Sequence, residues 1–279
     1  MSHPAPPEPA TGARPRGISD PQAAAQNIQQ MFDTIAPTYD RANHLLSLGI
    51  DRYWWTRAAW TLRHTLRRPE TVILDLCCGT GDMTLALDRY RPKASPSRIP
   101  GAPSQTVSPS EVGRLLAACT PAPIIAADFS HRMLSLGARK FAGRNIVPVE
   151  ADALHLPLAD RSVDLVTAAF GFRNLSDYAG GLAELHRVLR PGGQIAILEC
   201  NQPDGLVGAL YSLYFQHILP RLGGLVSHAP RAYAYLPDSV LRFPRPPRMK
   251  QLITEAGFIN PRWTSYTLGT AGLYRATRS

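Results

Sequence analysis

Apolar positions recur along this chain in two rhythms. Over residues 21–40, PQAAAQNIQQMFDTIAPTYD places Ile28, Met31, Phe32 and Ile35 at the i, i+3, i+4, i+7 spacing of a helix that Pro37 ends. A second helix follows, carrying Trp54, Trp55, Ala58, Ala59 and Leu62. Then the rhythm changes. TVILDLCC is a short, all-apolar run of the kind buried on both faces of a parallel sheet, and GDMTLALDRY is the helix after it. Pro and Ser interrupt residues 91–109, after which Ser108-Pro109-Ser110-Glu111 reads as a capping box opening the helix EVGRLLAAC. The alternation resumes with the strand PIIAAD, the helix HRMLSLGARKFA and the strands IVPVEAD and VDLVTAAF. SDYAGGLAELHRVLRPGG is predicted as a helix capped by Ser176, lined by Leu182, Leu185 and Leu189, and stopped by Pro191-Gly192-Gly193. The strand QIAILEC comes next. Two apolar-aromatic helices, GLVGALYSLYFQHILPRLGGLV and RMKQLITEAGF, precede terminal strands around residues 263–267 and 273–277.

Strand–helix alternation closed by two consecutive strands predicts an α/β fold: a Rossmann-like, doubly wound, seven-stranded and mostly parallel sheet. N-terminal helices precede it, and a helical insertion at 204–250 comes before the last two strands. Residues 1–20, rich in Pro, Ala and Gly, read as a disordered tail, 21–279 as one domain, and 91–120 as a Pro/Ser-rich insertion.

Composition narrows the class. With 279 residues, 44% of them hydrophobic, the chain can bury one substantial core. No window approaches eighteen uninterrupted apolar residues, and the N-terminus lacks the apolar centre of a secretory signal, so a cytoplasmic protein is expected. Cys77, Cys78, Cys119 and Cys200 form neither a disulfide framework nor a zinc site, because adjacent Cys77-Cys78 cannot adopt C-x-x-C geometry and no second pair exists. They read as buried small hydrophobes. The formal charge of +9 is uneven, with nine Lys/Arg against two acids in residues 221–279. Such a cluster suits nucleic acid or an anionic lipid surface, or is simply a solvated basic face.

The chemistry concentrates where VILDLCCGTGDMT passes from strand to helix. A P-loop needs Lys-Ser/Thr after its last glycine, and none follows Gly81; a dinucleotide fingerprint needs a third glycine where Thr84 stands. Both phosphate readings fail. What remains is Asp75 at the strand end, able to accept from an ammonium, with Gly79 and Gly81 letting backbone approach an uncharged adenosyl group. Asp128 ends the second strand and is placed to hold ribose hydroxyls; Asp152 ends the third and is placed for an adenine amino group, beside the Ala153 N–H.

This arrangement resembles the D/E-x-G-x-G-x-G loop of class I S-adenosylmethionine-dependent methyltransferases, with Cys77 in place of the first glycine. MFDTIAPTYDRANHLLSLGIDRYWW, LDLCCGTGDMT, AADFSHRMLSLGARK, AFGFRNLSD, LHRVLRPGGQIAILE and YAYLPDSVLRFP are similar to the C-methyltransferases of menaquinone and ubiquinone biosynthesis. The resemblance implies S-adenosyl-L-methionine contacts at Thr80, Asp128, Met133, Asp152, Ala153 and Ala169, no metal, and a demethylated polyprenyl quinol as acceptor. Adjacent Cys-Cys resembles the menaquinone branch, with a dual ubiquinone/menaquinone enzyme or another small-molecule methyltransferase as the alternative. A ring carbon becomes nucleophilic when its neighbouring hydroxyl, with a phenol-like pKa of about 10, loses its proton. Arg173 is expected to stabilise that phenolate and Asn174 to orient its oxygen, with a structural bond from Arg173 to the loop backbone as the alternative.

Tyr39, Phe170, His217 and Tyr235 are the expected quinol contacts within this resemblance. Tyr39 and Asp40 read either as a lid or as helix packing. His155 reads as structural. Helix 205–226, apolar well beyond a narrow stripe, is expected to hold a prenyl tail or to rest on an anionic membrane at its inner face, with a buried core helix as the alternative. AFGFRN, in place of an Asn/Asp-Pro-Pro-aromatic clamp, argues against a nucleic-acid substrate. A homo-oligomer stays open. The chain departs from the family pattern at its 91–120 insertion, at Asp238, and in a C-terminus, LGTAGLYRATRS, without the expected glycine pair and histidine.

Overall fold

The computed structural model describes residues 12–93 (except 14, 16 and 19), 121–214 and 230–279. The segment Ser108–Glu111 with its helix, Cys119, and His217 with the rest of helix 205–226 lie outside the described residues.

Three helices come first: α1 (Pro21–Ile35), α2 (Tyr39–Leu46) and α3 (Ile50–Leu66). The Asp20 carboxylate caps α1 by accepting from the Ala23 N–H at 2.7 Å. Helix α3 carries the tryptophans as expected, and α2 is an additional short helix set off from it by a turn through Leu48 and Gly49 at φ 53° and 76°. Within the segment read as a disordered tail, Ala13 is buried and its N–H donates to the Leu175 carbonyl at 2.7 Å.

The sheet has seven strands in the order β3-β2-β1-β4-β5-β7-β6. They are β1 (Ile73–Leu76), β2 (Ile124–Asp128), β3 (Ile146–Glu150), β4 (Val163–Ala169), β5 (Leu189–Cys200), β6 (Phe258–Tyr266) and β7 (Ala271–Arg278). The first five run parallel, and β7 is antiparallel to both β5 and β6. Helices α4 (Asp82–Asp88), α5 (His131–Lys140) and α6 (Tyr178–Val188) make the crossovers. Alternate residues of each strand feed separate cores. Leu74 and Leu76 of β1 join Val166 and Ala168 of β4 beneath α6, while Ile73 and Leu165 join Ala58, Leu62, Met83 and Leu87 from α3 and α4. Burial on both faces is why these strands read as continuous apolar runs.

Two local expectations need correction. Asp177, not Ser176, stands at the N-cap of α6, and the helix ends at Val188, so Arg190-Pro191-Gly192-Gly193 belong to the start of β5. The residue before a proline is pushed out of helical geometry, which moves the stop upstream. Helix α7 (Gly205–Leu213) opens the insertion, followed by α8 (Pro230–Arg242) and α9 (Pro246–Glu255). Helix α8 was not anticipated, because an internal proline, Pro237, ordinarily breaks a helix.

The basic C-terminal segment does not form one face. Arg278 donates to the carbonyls of Arg187 at the end of α6 and of Leu189 at the start of β5, whereas Arg245 pairs with Asp204 at 3.0 Å beside α7. The sheet order reverses between β1 and β4, and ligands in such folds bind outside the carboxyl ends of the strands flanking that switch.

Candidate active site

Beyond Leu76 the chain turns back through Cys77, Cys78, Gly79 and Thr80 into α4. Gly81 has φ 89°, and a β-carbon there would lie 2.3 Å from the Phe141 ring, so only glycine fits. Cys77 also has a left-handed backbone, at φ 52°, which accounts for glycine being usual at this place. Its side chain finds room because Gly171 faces it: a β-carbon on Gly171 would come within 2.2 Å of the Cys77 Cβ. Burial pushes the Cys77 and Cys78 thiols well above their usual range, so both stay neutral.

Asp75 lies beneath this loop with no exposure, accepting from the Thr84 and Thr167 hydroxyls at 2.6 Å each. Asp128 joins β2 to the loop, accepting from Gly79 N–H at 2.8 Å and Ser130 N–H at 2.9 Å. Burial raises both carboxyls to about 6. Asp152 is more open, accepting from Leu154 N–H at 2.9 Å with the exposed His155 3.4 Å away.

Two cavities flank the loop and share Cys77 and Asn174. The smaller, about 60 Å³, brings together Asp128, Asp152 and Ala153. The larger, about 380 Å³, brings together Tyr39, Gly79, Thr80, Ala169, Phe170, Arg173 and Tyr235. Asp75, Gly81 and Met133 line neither. Asp75 and Gly81 shape the loop from behind, and Met133 packs with Ile35, Ala42 and Leu46 beneath α1 and α2. Among the described residues no cluster of His, Cys, Asp and Glu could hold a metal ion.

Helices α1 and α2 are fastened over this region. Ser130 donates to Asp33 at 2.5 Å and Gln29 to the Phe129 carbonyl at 2.6 Å. Asp40 accepts from Thr80 at 2.5 Å and from Lys140 at 2.7 Å, while Lys140 also reaches Asp82 at 3.0 Å. Tyr39 thus faces the cavity while its neighbour ties α2 to the loop.

Arg173 is buried, and its Nη1 donates to Glu199 at 2.8 Å and to the Phe170 carbonyl, with Nε 3.3 Å from Ser239. Burial opposes its charge, but the Glu199 carboxylate outweighs that and holds the guanidinium above its ordinary value. The Tyr235 hydroxyl donates to Asn174 Oδ1 at 3.1 Å. Sequence reasoning missed Glu199, Lys140 and Trp54. Glu199 carried the same signal as Asp75 and Asp128, an acid ending an apolar strand, whereas nothing local links Lys140 or Trp54 to the loop.

The family described as the ubiE/COQ5 methyltransferase family matches residues 21–278. The chain belongs to this family. Among its relatives, a Deinococcus radiodurans protein named demethylmenaquinone methyltransferase is 42% identical over 262 residues, covering 92% of this chain and 95% of its own. One of the same name from Thermus thermophilus is 41% identical over 251 residues, covering 89% and 100%. A Thermotoga maritima structure described as an S-adenosylmethionine-dependent methyltransferase has TM-score 0.58 at 17% identity, covering 90% of this chain and all of its own. The cyclase SpnF has TM-score 0.57 at 14% identity, covering 91% and 96%. These two likenesses show the class I fold alone; since that fold also carries a cyclase, the family and the site carry the chemistry.

Gly171→Ala should therefore lower stability by about 1–3 kcal/mol by driving a methyl into Cys77. In a Cys77→Gly background most of that loss should vanish, a coupling measured by urea unfolding of the four proteins; equal losses in both backgrounds would refute the contact.

Proposed function

We propose that this methyltransferase moves a methyl group from S-adenosyl-L-methionine to a ring carbon of demethylmenaquinol, completing a menaquinone. The reading rests on one observation above all: the acid-lined cavity and the aromatic cavity meet at Cys77 and Asn174, one residue from Arg173. Relatives named demethylmenaquinone methyltransferase at 34–42% identity support the acceptor.

The donor set fits the donor molecule. Asp128 offers carboxylate lone pairs to a ribose, Asp152 and the Ala153 backbone suit an adenine edge, and Gly79, Thr80 and Ala169 leave room for the amino-acid end. When bound, the donor supplies a methyl already activated by its sulfonium. The chain's residues then have three tasks: alignment, exclusion of water, and stabilisation of the acceptor's phenolate, so that the ring hydroxyl releases its proton to solvent more readily.

Phe170, Tyr39 and Tyr235 form an apolar wall for a planar ring. Arg173 donates to the ring hydroxyl and stabilises its phenolate. Because Glu199 neutralises most of its charge, Arg173 acts as a directed donor rather than as a net positive field. Asn174, steadied by Tyr235, orients the same oxygen. Both alternatives for Arg173 hold together: one edge bonds the loop backbone and Glu199, and the other edge serves the substrate. The same pocket accommodates a benzoquinol ring, so the dual ubiquinone/menaquinone activity is the second reading. Among the described residues no helix is long and apolar enough to cross a membrane; we place the enzyme at the inner membrane face as a peripheral protein, where its acceptor resides.

Mass spectrometry after incubation with S-adenosyl-L-methionine and reduced demethylmenaquinone, alongside the ubiquinone precursor, should show a singly methylated naphthoquinol. No product from either acceptor, with donor binding intact, would overturn the reading. Arg173→Lys should cut turnover about a hundredfold with donor affinity held, since lysine lacks the planar fork; unchanged turnover would remove Arg173 from the chemistry. Donor affinity should fall as pH drops through about 6, because Asp128 then gains a proton and loses acceptor strength. Calorimetric titration at several pH values checks this, and Asp128→Asn should flatten the dependence.

A further inference from the structure

Large apolar side chains exposed to solvent are concentrated around the mouth of the larger cavity. Three separate segments build that mouth, and each contributes residues to the cavity wall and at least one leucine exposed to solvent. The α2–α3 turn puts Ser47 on the cavity wall, with Leu48 at the lip and 83% exposed. The β6–β7 loop puts Thr267 and Thr270 on the wall and leaves Leu268 78% exposed. Helix α7 puts Tyr211 on the wall while Leu206, Leu210 and Leu213, at the i, i+4, i+7 spacing of one helix face, stand 54–78% exposed.

These segments touch one another. Trp54 Nε1 donates to Thr267 Oγ1 at 2.7 Å, joining α3 to the β6–β7 loop, and Gly269 packs beside Pro203 just ahead of α7. Both Leu48 and Leu268 sit at loop tips in left-handed backbone, φ 53° and 56°, a geometry that disfavours leucine. Neither side chain gains burial within the chain in return.

We infer that this leucine rim is a lipid-docking surface, entering the acyl boundary of an anionic bilayer so that the cavity opens directly into the membrane. The inference rests on the quinol reading and names the surface that serves it. Two arguments favour a bilayer over other apolar partners. A cavity of about 380 Å³ suits one ring system and little more, so a long prenyl tail must leave through the mouth into an apolar phase. The flanking charge is positive: Arg41, Arg52 and Arg57 are exposed on α2 and α3 and form no ion pair among the described residues. The acids close by are already engaged, Asp51 with His44 at 2.7 Å, Asp40 with Lys140 at 2.7 Å and Asp204 with Arg245 at 3.0 Å. Apolar tips ringed by basic side chains match the boundary between acyl chains and acidic headgroups.

The test is sedimentation of the full chain with vesicles of phosphatidylcholine and phosphatidylglycerol, at low and high salt. The parent protein should bind at low salt and less at high salt. Leu206→Asp with Leu268→Asp, both exposed and off the cavity wall, should weaken partitioning about tenfold or more. Ile259→Asp, on β6 and equally a loss of an exposed apolar residue, should leave it unchanged. Methylation of a short-tailed, water-soluble demethylmenaquinol should be the same in the parent and the double variant, whereas turnover of long-tailed quinol in vesicles should drop with binding. No vesicle binding by the parent, or equal binding by the double variant, overturns the inference. So does concentration-dependent dimerisation that the double variant abolishes, which would assign the rim to a second copy of the chain. Failure of the parent to methylate the short-tailed quinol would instead strike at the quinol reading, with vesicle binding judged separately.

Discussion

Two carboxylates buried at the ends of adjacent parallel strands set the terms for the rest of the site. Removing Asp75 and Asp128 from water disfavours their charge, and each is held by two donors within the chain. Those donors come from different elements: Thr84 from α4, Thr167 from β4, Gly79 from the loop and Ser130 from the start of α5. The acids therefore fix where four pieces of backbone lie relative to one another. The left-handed turn at Cys77 and Gly81, and the two cavities beside it, follow from that placement.

Charge is handled differently on the acceptor side. Arg173 and Glu199 form a buried pair whose two members leave little net field, and such pairs add geometric definition more than stability. Glu199 also accepts from the Arg173 N–H at 3.0 Å and from the Cys200 N–H at 3.2 Å, so the carboxylate holds the FRN turn and the end of β5 as well as the guanidinium. Over both halves lie α1 and α2, tied down through Asp33 and Asp40. Closure and packing are the same contacts here: Asp40 anchors the helix to Thr80, which lines the cavity.

The sequence was most legible where local rules act alone. Strands β1 to β5 and β7 contain the apolar runs that placed them, because a strand buried on both faces must be apolar throughout; β6 begins at Phe258, five residues ahead of the expected strand, because a largely exposed edge strand carries no such run. The Gly-rich turn, Asp128, Asp152, Ala169 and the FRN turn were all found at strand ends, and the structure sets them around two joined cavities. Legibility failed where one local signal opposed tertiary packing. Pro237 concealed α8, and the short helix α2 between the Pro37 break and the Leu48-Gly49 turn was not anticipated.

Composition and periodicity by themselves determined the fold class and the strand ends where chemistry collects, since each depends on neighbours within a few residues; the strand order and its switch point came from the tertiary structure. Only the tertiary structure decided that Asp75 supports the loop from below, that Glu199 governs Arg173, and that Cys77 needs Gly171 opposite it. It also decided that the basic C-terminal residues point to opposite ends of the sheet while leucines gather around one mouth. Those outcomes depend on which distant segments share a face, and a run of residues holds no record of what will be packed against it.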